Sequence, residues 1–216
     1  MALLDVIAPK EKVFVVAHDW GAYIAWHLSL FRPDKVEALV NLSVHYLARN
    51  PMGDIVKLME DAYGEDYYMF RFQKPGDMEG KIATDIGTKT FIKKFLSHRK
   101  PGPFYFPKGT GYNGDSKDSP LPSWLSEEDL DYYSNKYEKT GFTGPHQLLS
   151  SSSFNMEAYG TLDRSSGFLD FIHNGEFQKF VPLLQEVVVM EGVGHFITEE
   201  KPDDINKHIL SFLQQF

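Results

Sequence analysis

The stretch Val13-Phe14-Val15-Val16-Ala17-His18-Asp19-Trp20-Gly21-Ala22-Tyr23-Ile24-Ala25 decides how the rest of the chain is read. Val13 to Ala17 is an unbroken apolar run rich in β-branched residues, the pattern of a strand buried on both faces, as in a parallel sheet. From Gly21 to Phe31 the pattern becomes a mostly apolar helix, stopped by Arg32-Pro33-Asp34. Between the two the chain reverses within about four residues, at His18-Asp19-Trp20-Gly21. Ala17 and Gly21 flank Asp19 two positions to either side. That is the spacing of a strand–nucleophile–helix turn, whose tight backbone leaves no room for side chains at the flanking positions. A nucleophile there stands at the start of a helix, where N–H groups and the helix dipole favour an anion. Ser usually holds that place; here it is a carboxylate. Asp is also a preferred helix N-cap, so spacing alone leaves Asp19 as either nucleophile or cap.

The composition sets the bounds on this elbow. The chain has 216 residues, 42% of them apolar, enough for a sizeable core in one α/β domain or in a core with an inserted subdomain. A net charge of −8 argues against nucleic acid as a partner, which calls for clustered basic residues. With no cysteine there is neither a disulfide nor a Cys-based metal site, which fits a reducing compartment. Met1 to Ile7 is too short and too acidic for a signal peptide, and no later run approaches membrane-spanning length. The final Gln214-Gln215-Phe216 carries no peroxisomal address. The expectation is a cytoplasmic protein that meets no membrane.

Residues 2–8 resemble the last turns of a helix closed by Pro9, so the chain reads as beginning inside a fold. After the helix 21–31 comes a second buried strand, Val36 to Val44, completing a strand–helix–strand unit with parallel neighbours. The character changes near Arg49-Asn50-Pro51. Helical patterns at Ile55–Tyr63, Thr88–Leu96 and Ser126–Tyr137 are separated by Gly and Pro, with a loop rich in Pro, Gly and Asp over 100–122. Ser126-Glu127-Glu128-Asp129 opens the last helix as a weaker capping box. Aromatics crowd this region: Tyr67, Tyr68, Phe70, Phe72, Tyr105, Trp124, Tyr132 and Tyr133. A helical, aromatic insertion between two pieces of an α/β sheet predicts a lid. The predicted division is therefore 1–48 as the first part of the core with the elbow, 49–145 as the lid, and 146–216 as the second part of the core. Within that second part, a helix at 167–173, a strand at Glu186–Met190 and an amphipathic helix from about 202 to 215 are expected.

Ligands in an open parallel sheet bind at the carboxyl ends of the strands. Asp19 follows the strand 13–17, and His195 follows the predicted strand 186–190 through a Gly-x-Gly loop, a setting that suits catalytic groups. Asp163 lies between them, after a weak strand at 159–162, and could orient His195. Nucleophile, acid, histidine is the chain order of the α/β-hydrolase triad. Among the other seven histidines, His18 stands out as the neighbour of Asp19. Tyr68 offers a neutral phenol that can donate to an oxygen leaving group, or else packs with the other lid aromatics. No phosphate-binding glycine pattern is present; Gly109-Thr110-Gly111-Tyr112-Asn113-Gly114 follows no strand. His98 and His146 lack metal-ligand spacing, and no metal is expected.

Together these residues resemble the soluble epoxide hydrolases of plant type within the α/β-hydrolase superfamily. The resemblance rests on Val15 to Gly21, Phe31-Arg32-Pro33-Asp34-Lys35-Val36, Gly64-Glu65-Asp66-Tyr67-Tyr68, Arg71-Phe72-Gln73, Leu121 to Leu130, Lys139 to Gly144, and Val187 to Gly192 with His195-Phe196. It implies an α/β-hydrolase core, a partial parallel sheet with a helical lid insertion. It also implies a reaction with water and a small apolar epoxide, of detoxification or lipid origin, and no cofactor. In that chemistry Asp19 attacks an oxirane carbon, Tyr68 holds the epoxide oxygen, and His195, oriented by Asp163, activates water to cleave the ester to a vicinal diol. The backbone N–H of Trp20, beside His18, faces the developing oxyanion.

Three departures from the family pattern accompany the resemblance. The family's first strands and its His-Gly-x-Pro oxyanion loop have no counterpart. Leu149 stands where a second lid tyrosine is expected, and the serine run Ser150–Ser153 with Phe154 to Ala158 replaces the strand before the acid. These features suggest a truncated or mis-spliced product with exposed sheet edges. Such a chain would self-associate or pair with a full-length paralogue. A haloalkane or haloacid dehalogenase, with Trp20 on the halide, is the enzymatic alternative; a non-catalytic binding or regulatory remnant is the other.

Overall fold

The computed structural model describes residues 2–46, 60–61, 63–98, 105–107, 120–145 and 168–216. In chain order the elements are α1 (Ala2–Ile7), β1 (Val13–His18), α2 (Trp20–Phe31), β2 (Val36–Leu42), α3 (Tyr68–Gln73), α4 (Asp77–Lys81), a π-helical turn (Ile82–Ile86) and α5 (Thr88–Leu96). They continue with α6 (Glu127–Thr140), α7 (Phe168–His173), α8 (Glu176–Phe180), α9 (Ile197–Glu200) and α10 (Pro202–Leu213). The chain divides into two compact units. One joins Met1–Arg49 to Met156–Phe216; the other is Asn50–Asn155. None of the helices among the described residues is long and apolar enough to cross a membrane.

In the first unit β1 and β2 pair in parallel, Phe14 with Ala38 through His18 with Leu42. The connection between them is α2, as a parallel pair requires. Ala22 and Ala25, fully buried, are the small residues on the helix face turned to the interior, and Asn41 Nδ2 on β2 donates to the Ala22 carbonyl at 3.0 Å. That bond ties helix to strand. β1 departs from the expected two-sided burial: Val13, Val15 and Ala17 are half-buried, whereas Phe14 and Val16 are 47% and 45% exposed. Phe14 meets the ring of Phe216 at 6.4 Å, and that contact leaves much of its surface open.

The predicted strand Glu186–Met190 is the main correction. Residues 184–190 form no ladder with any described residue, and Val187, Val188 and Val189 are all exposed. A valine run meets the side-chain requirement of a strand, but a strand exists only when a neighbour takes its backbone hydrogen bonds. The helices expected at 167–173 and 202–215 are present as α7 and α10. Beside β2, Trp26, His45, Tyr46, Phe171 and Phe177 form an aromatic cluster with edge-on contacts of about 6 Å, and Trp26 Nε1 donates to the Val44 carbonyl at 3.0 Å.

The second unit is helical, with a core of Phe72, Phe91, Phe106, Met78, Ile82 and Leu130. The Thr88–Leu96 prediction matches α5 at both ends, and Ser126 closes both arms of a capping box with Asp129 at the start of α6. Sequence reading missed α3, α4 and the π turn. Their interior carries a charge: Arg71 is fully buried, forked onto both carboxylate oxygens of Asp77 at 2.9 and 3.0 Å, and bonded to the Phe106 carbonyl. Asp66 adds a second carboxylate at 3.5 Å, so the buried guanidinium is compensated by two acids, and the fork onto Asp77 ties α3 to α4. The helix expected at Ile55–Tyr63 lies almost wholly outside the described residues, as does most of the loop 100–122.

Candidate active site

Asp19 is the residue directly after β1 and directly before α2. Its backbone has φ 53° and ψ −124°, a positive-φ conformation that few non-glycine residues adopt and that the surrounding fold must hold in place. The side chain makes no capping bond to α2. Of the two roles the spacing allowed, the cap is the one the geometry does not use. The Asp19 carboxylate instead faces the imidazole of His195, Oδ1 to Nε2 at 3.3 Å. Burial pushes its pKa up. The His195 hydrogen bond and charge and the Trp20 backbone N–H pull it down more strongly, so Asp19 stays ionised below the ordinary carboxylate range. It is an anion on a strained elbow beside an imidazole.

Gly21 is less constrained than the spacing argument holds. A Cβ placed there would sit 3.8 Å from the Ala17 Cβ, an ordinary van der Waals contact, so the elbow has room for one methyl. The reason is the position of residue 21 at the second residue of α2, where its side-chain direction runs past Ala17 rather than into backbone.

His195 lies in the segment that follows residues 184–190. Its carbonyl oxygen accepts a hydrogen bond from His18 Nε2 at 2.8 Å and from Ser43 Oγ at 3.2 Å, and the adjoining Gly194 N–H donates to Glu200 Oε2 at 2.9 Å. The His18 and His195 rings lie 4.8 Å apart. Burial, and then the charge of His195, hold the His18 pKa below 6.5, so this ring is neutral at pH 7. Nδ1 of His195 is buried and has no hydrogen-bond partner among the described residues.

Four of the six residues singled out in the sequence therefore meet within the first unit: Asp19, His195, His18 and, through its backbone N–H, Trp20. Asp163 lies outside the described residues, as does Leu149. Tyr68 belongs to the second unit, where it opens α3, buried between the rings of Tyr67 at 4.9 Å and Phe72 at 5.6 Å. Sequence reading missed Ser43. Its signal was available, since Ser43 follows β2 as Asp19 follows β1 and both stand at carboxyl ends of parallel strands. No group of three or more metal-binding side chains occurs among the described residues.

With fold and site in view, comparison with known proteins is direct. The profile of the alpha/beta hydrolase fold matches residues 7–202. The chain belongs to the α/β-hydrolase family, and within it to the epoxide hydrolases. Epoxide hydrolase 2 of Siraitia grosvenorii is 41% identical over 235 residues, covering 100% of this chain and 74% of that protein. Epoxide hydrolase 3 of the same plant is 42% identical over 225 residues, covering 95% of this chain and 71% of that one. Among solved structures, epoxide hydrolase I of potato (Solanum tuberosum) superposes with a TM-score of 0.87 at 51% identity, covering 100% of this chain and 74% of that chain.

Proposed function

We propose that the chain hydrolyses an epoxide to a vicinal diol through an ester on Asp19. The observation that carries this reading is the ionised Asp19 carboxylate on its elbow, 3.3 Å from His195. The relatives are named as epoxide hydrolases, which supplies the substrate class. An Asp19 oxygen attacks an oxirane carbon from the side opposite the ring oxygen, and that C–O bond breaks as the ester bond forms. The released alkoxide takes a proton from a neutral donor, the role assigned to the Tyr68 phenol, with the second unit acting as a lid.

Esterification removes the charge that faced His195. Nε2 then accepts a proton from water as that water attacks the ester carbonyl, and the Trp20 N–H stabilises the resulting oxyanion. Collapse of the tetrahedral intermediate passes the His195 proton to the departing diol oxygen, and the second water proton, left on the Asp19 carboxyl, replaces the one the Tyr68 phenol gave up, so that the diol leaves and both groups are restored. Asp163 is assigned to the buried Nδ1 of His195, which an acceptor would hold in the tautomer that leaves Nε2 free as the base. Association with a second copy or a longer relative is supported by the half-exposed Phe14 and Val16 on β1.

A single turnover of a stilbene oxide in H2 18O tests the covalent route. One diol oxygen comes from the epoxide and the other from Asp19, so the label enters the protein, on the peptide spanning Asp19, and not the first-formed diol. Label in the first diol overturns the ester; release of halide from a haloalkane with no diol from epoxide returns the dehalogenase reading.

A further inference from the structure

His195 rides on a segment that has no ladder among the described residues, yet its ring is placed within 3.3 Å of Asp19. Two side-chain donors converge on its main chain. His18 is the last residue of β1 and Ser43 the first after β2; because His18 pairs with Leu42, the two leave the sheet side by side. Both donate to one atom, the His195 carbonyl oxygen, at 2.8 and 3.2 Å. A carbonyl only accepts, so the single N–H of the neutral His18 ring is on Nε2. Ser43 reaches the same atom from a left-handed backbone, φ 63°. Only Asp19 and Ser43 among the described non-glycine residues have positive φ, and both contact His195.

We infer that Ser43 and His18 act as a clamp on the His195 carbonyl, positioning residues that aim its imidazole for the ester-hydrolysis half of the reaction. The inference rests on the nucleophile and base roles given above to Asp19 and His195. Fixing the carbonyl fixes the origin of the side chain, and a misplacement of roughly 1 Å in a reacting group costs about a hundred-fold in rate. Ester formation uses the Asp19 carboxylate, which β1 and α2 hold; ester hydrolysis uses Nε2, which the clamp holds. Loss of the clamp therefore slows the second step and spares the first.

The test is single-turnover mass spectrometry with trans-stilbene oxide, following growth and decay of the adduct on the peptide spanning Asp19. Ser43→Ala removes the hydroxyl; Ser43→Gly removes it too but adopts positive φ without strain, separating hydroxyl from backbone. Both variants are expected to form the adduct within about two-fold of the parent rate and to lose it roughly ten- to a hundred-fold more slowly. His18→Phe is expected to behave likewise, and His18→Gln, whose amide reaches the place of Nε2, to recover most of the decay rate. Thermal melts identify any variant that is unfolded, and the remaining pair then decides. Adduct decay at the parent rate in folded Ser43→Gly and His18→Phe overturns the clamp and leaves the reaction reading intact. Absence of any adduct in the folded parent overturns that reading, and the clamp with it.

Discussion

Asp19 and His195 meet at 3.3 Å but reach that distance by different means. Asp19 is carried by a strand whose six residues are all registered against β2, and it is followed at once by a helix of 12 residues. Its position is a consequence of backbone hydrogen bonds. His195 is carried by residues 184–194, which make no ladder among the described residues and expose three successive valines. Its position depends on three hydrogen bonds to its own carbonyl and to the neighbouring amide. One half of a facing carboxylate–imidazole pair can thus be fixed by secondary structure and the other by a few side chains. The second arrangement is the more easily broken.

The largest effect is expected from breaking the ladder-held half. Asp19→Ala removes the carboxylate to which ester formation is assigned, and turnover should fall by about 10^4- to 10^6-fold with no adduct, as read by single-turnover mass spectrometry. Residual diol formation above about one per cent of parent would show that another group attacks. Breaking the other half separates the two steps: His195→Ala should still give an adduct, which persists because hydrolysis slows by about 10^2- to 10^4-fold. An adduct that decays normally would remove His195 from the reaction.

The aromatic cluster beside β2 has its own pH dependence. His45 follows β2 and packs against Phe171 and Phe177, and burial lowers its pKa to about 4. The folded value lies below the ordinary 6.5, so the unfolded chain binds more protons between those limits. Its contribution is complete above pH 6.5 and is lost as pH falls toward 4. Chemical denaturation across that range should show a loss of up to about 3 kcal/mol, and His45→Leu should flatten it. An equally steep loss in the variant would assign the effect elsewhere.

Packing gives the smallest contrast. Ala22→Leu crowds the interface of α2 with the sheet and should destabilise by about 1–3 kcal/mol. Val188→Ala, on an exposed segment that makes no ladder with the described residues, should change stability by no more than about 0.5 kcal/mol. A Val188 effect as large as that of Ala22 would mean that residues 184–190 are packed like a strand, and the contrast between the two halves would fail.

Much of this was legible in the residues, for reasons that differ by position. The elbow was readable because β-branched run, turn and apolar helix follow one another within one short stretch, and each is a local preference. Ser126 with Asp129 was readable for the same reason, since a capping box closes over four residues. The strand expected at Glu186–Met190 was not, because its valines report side-chain preference while the ladder depends on residues far away in sequence. The buried Arg71 escaped notice because nothing local distinguishes an arginine that finds Asp77 from one that faces water.

By itself, then, the sequence determined the family and the parallel β1–α2–β2 unit, and it singled out Asp19 and His195 as the candidate nucleophile and base. All of these rest on patterns that recur within a few residues or on resemblance along the chain. Only the tertiary structure decided that Asp19 faces His195 rather than capping α2, that Phe14 and Val16 leave one face of β1 open, and that Ser43 joins His18 on the His195 carbonyl. The bonds to that carbonyl span 177 and 152 residues, and the energy that selects such contacts belongs to the folded arrangement, not to either residue's local preference.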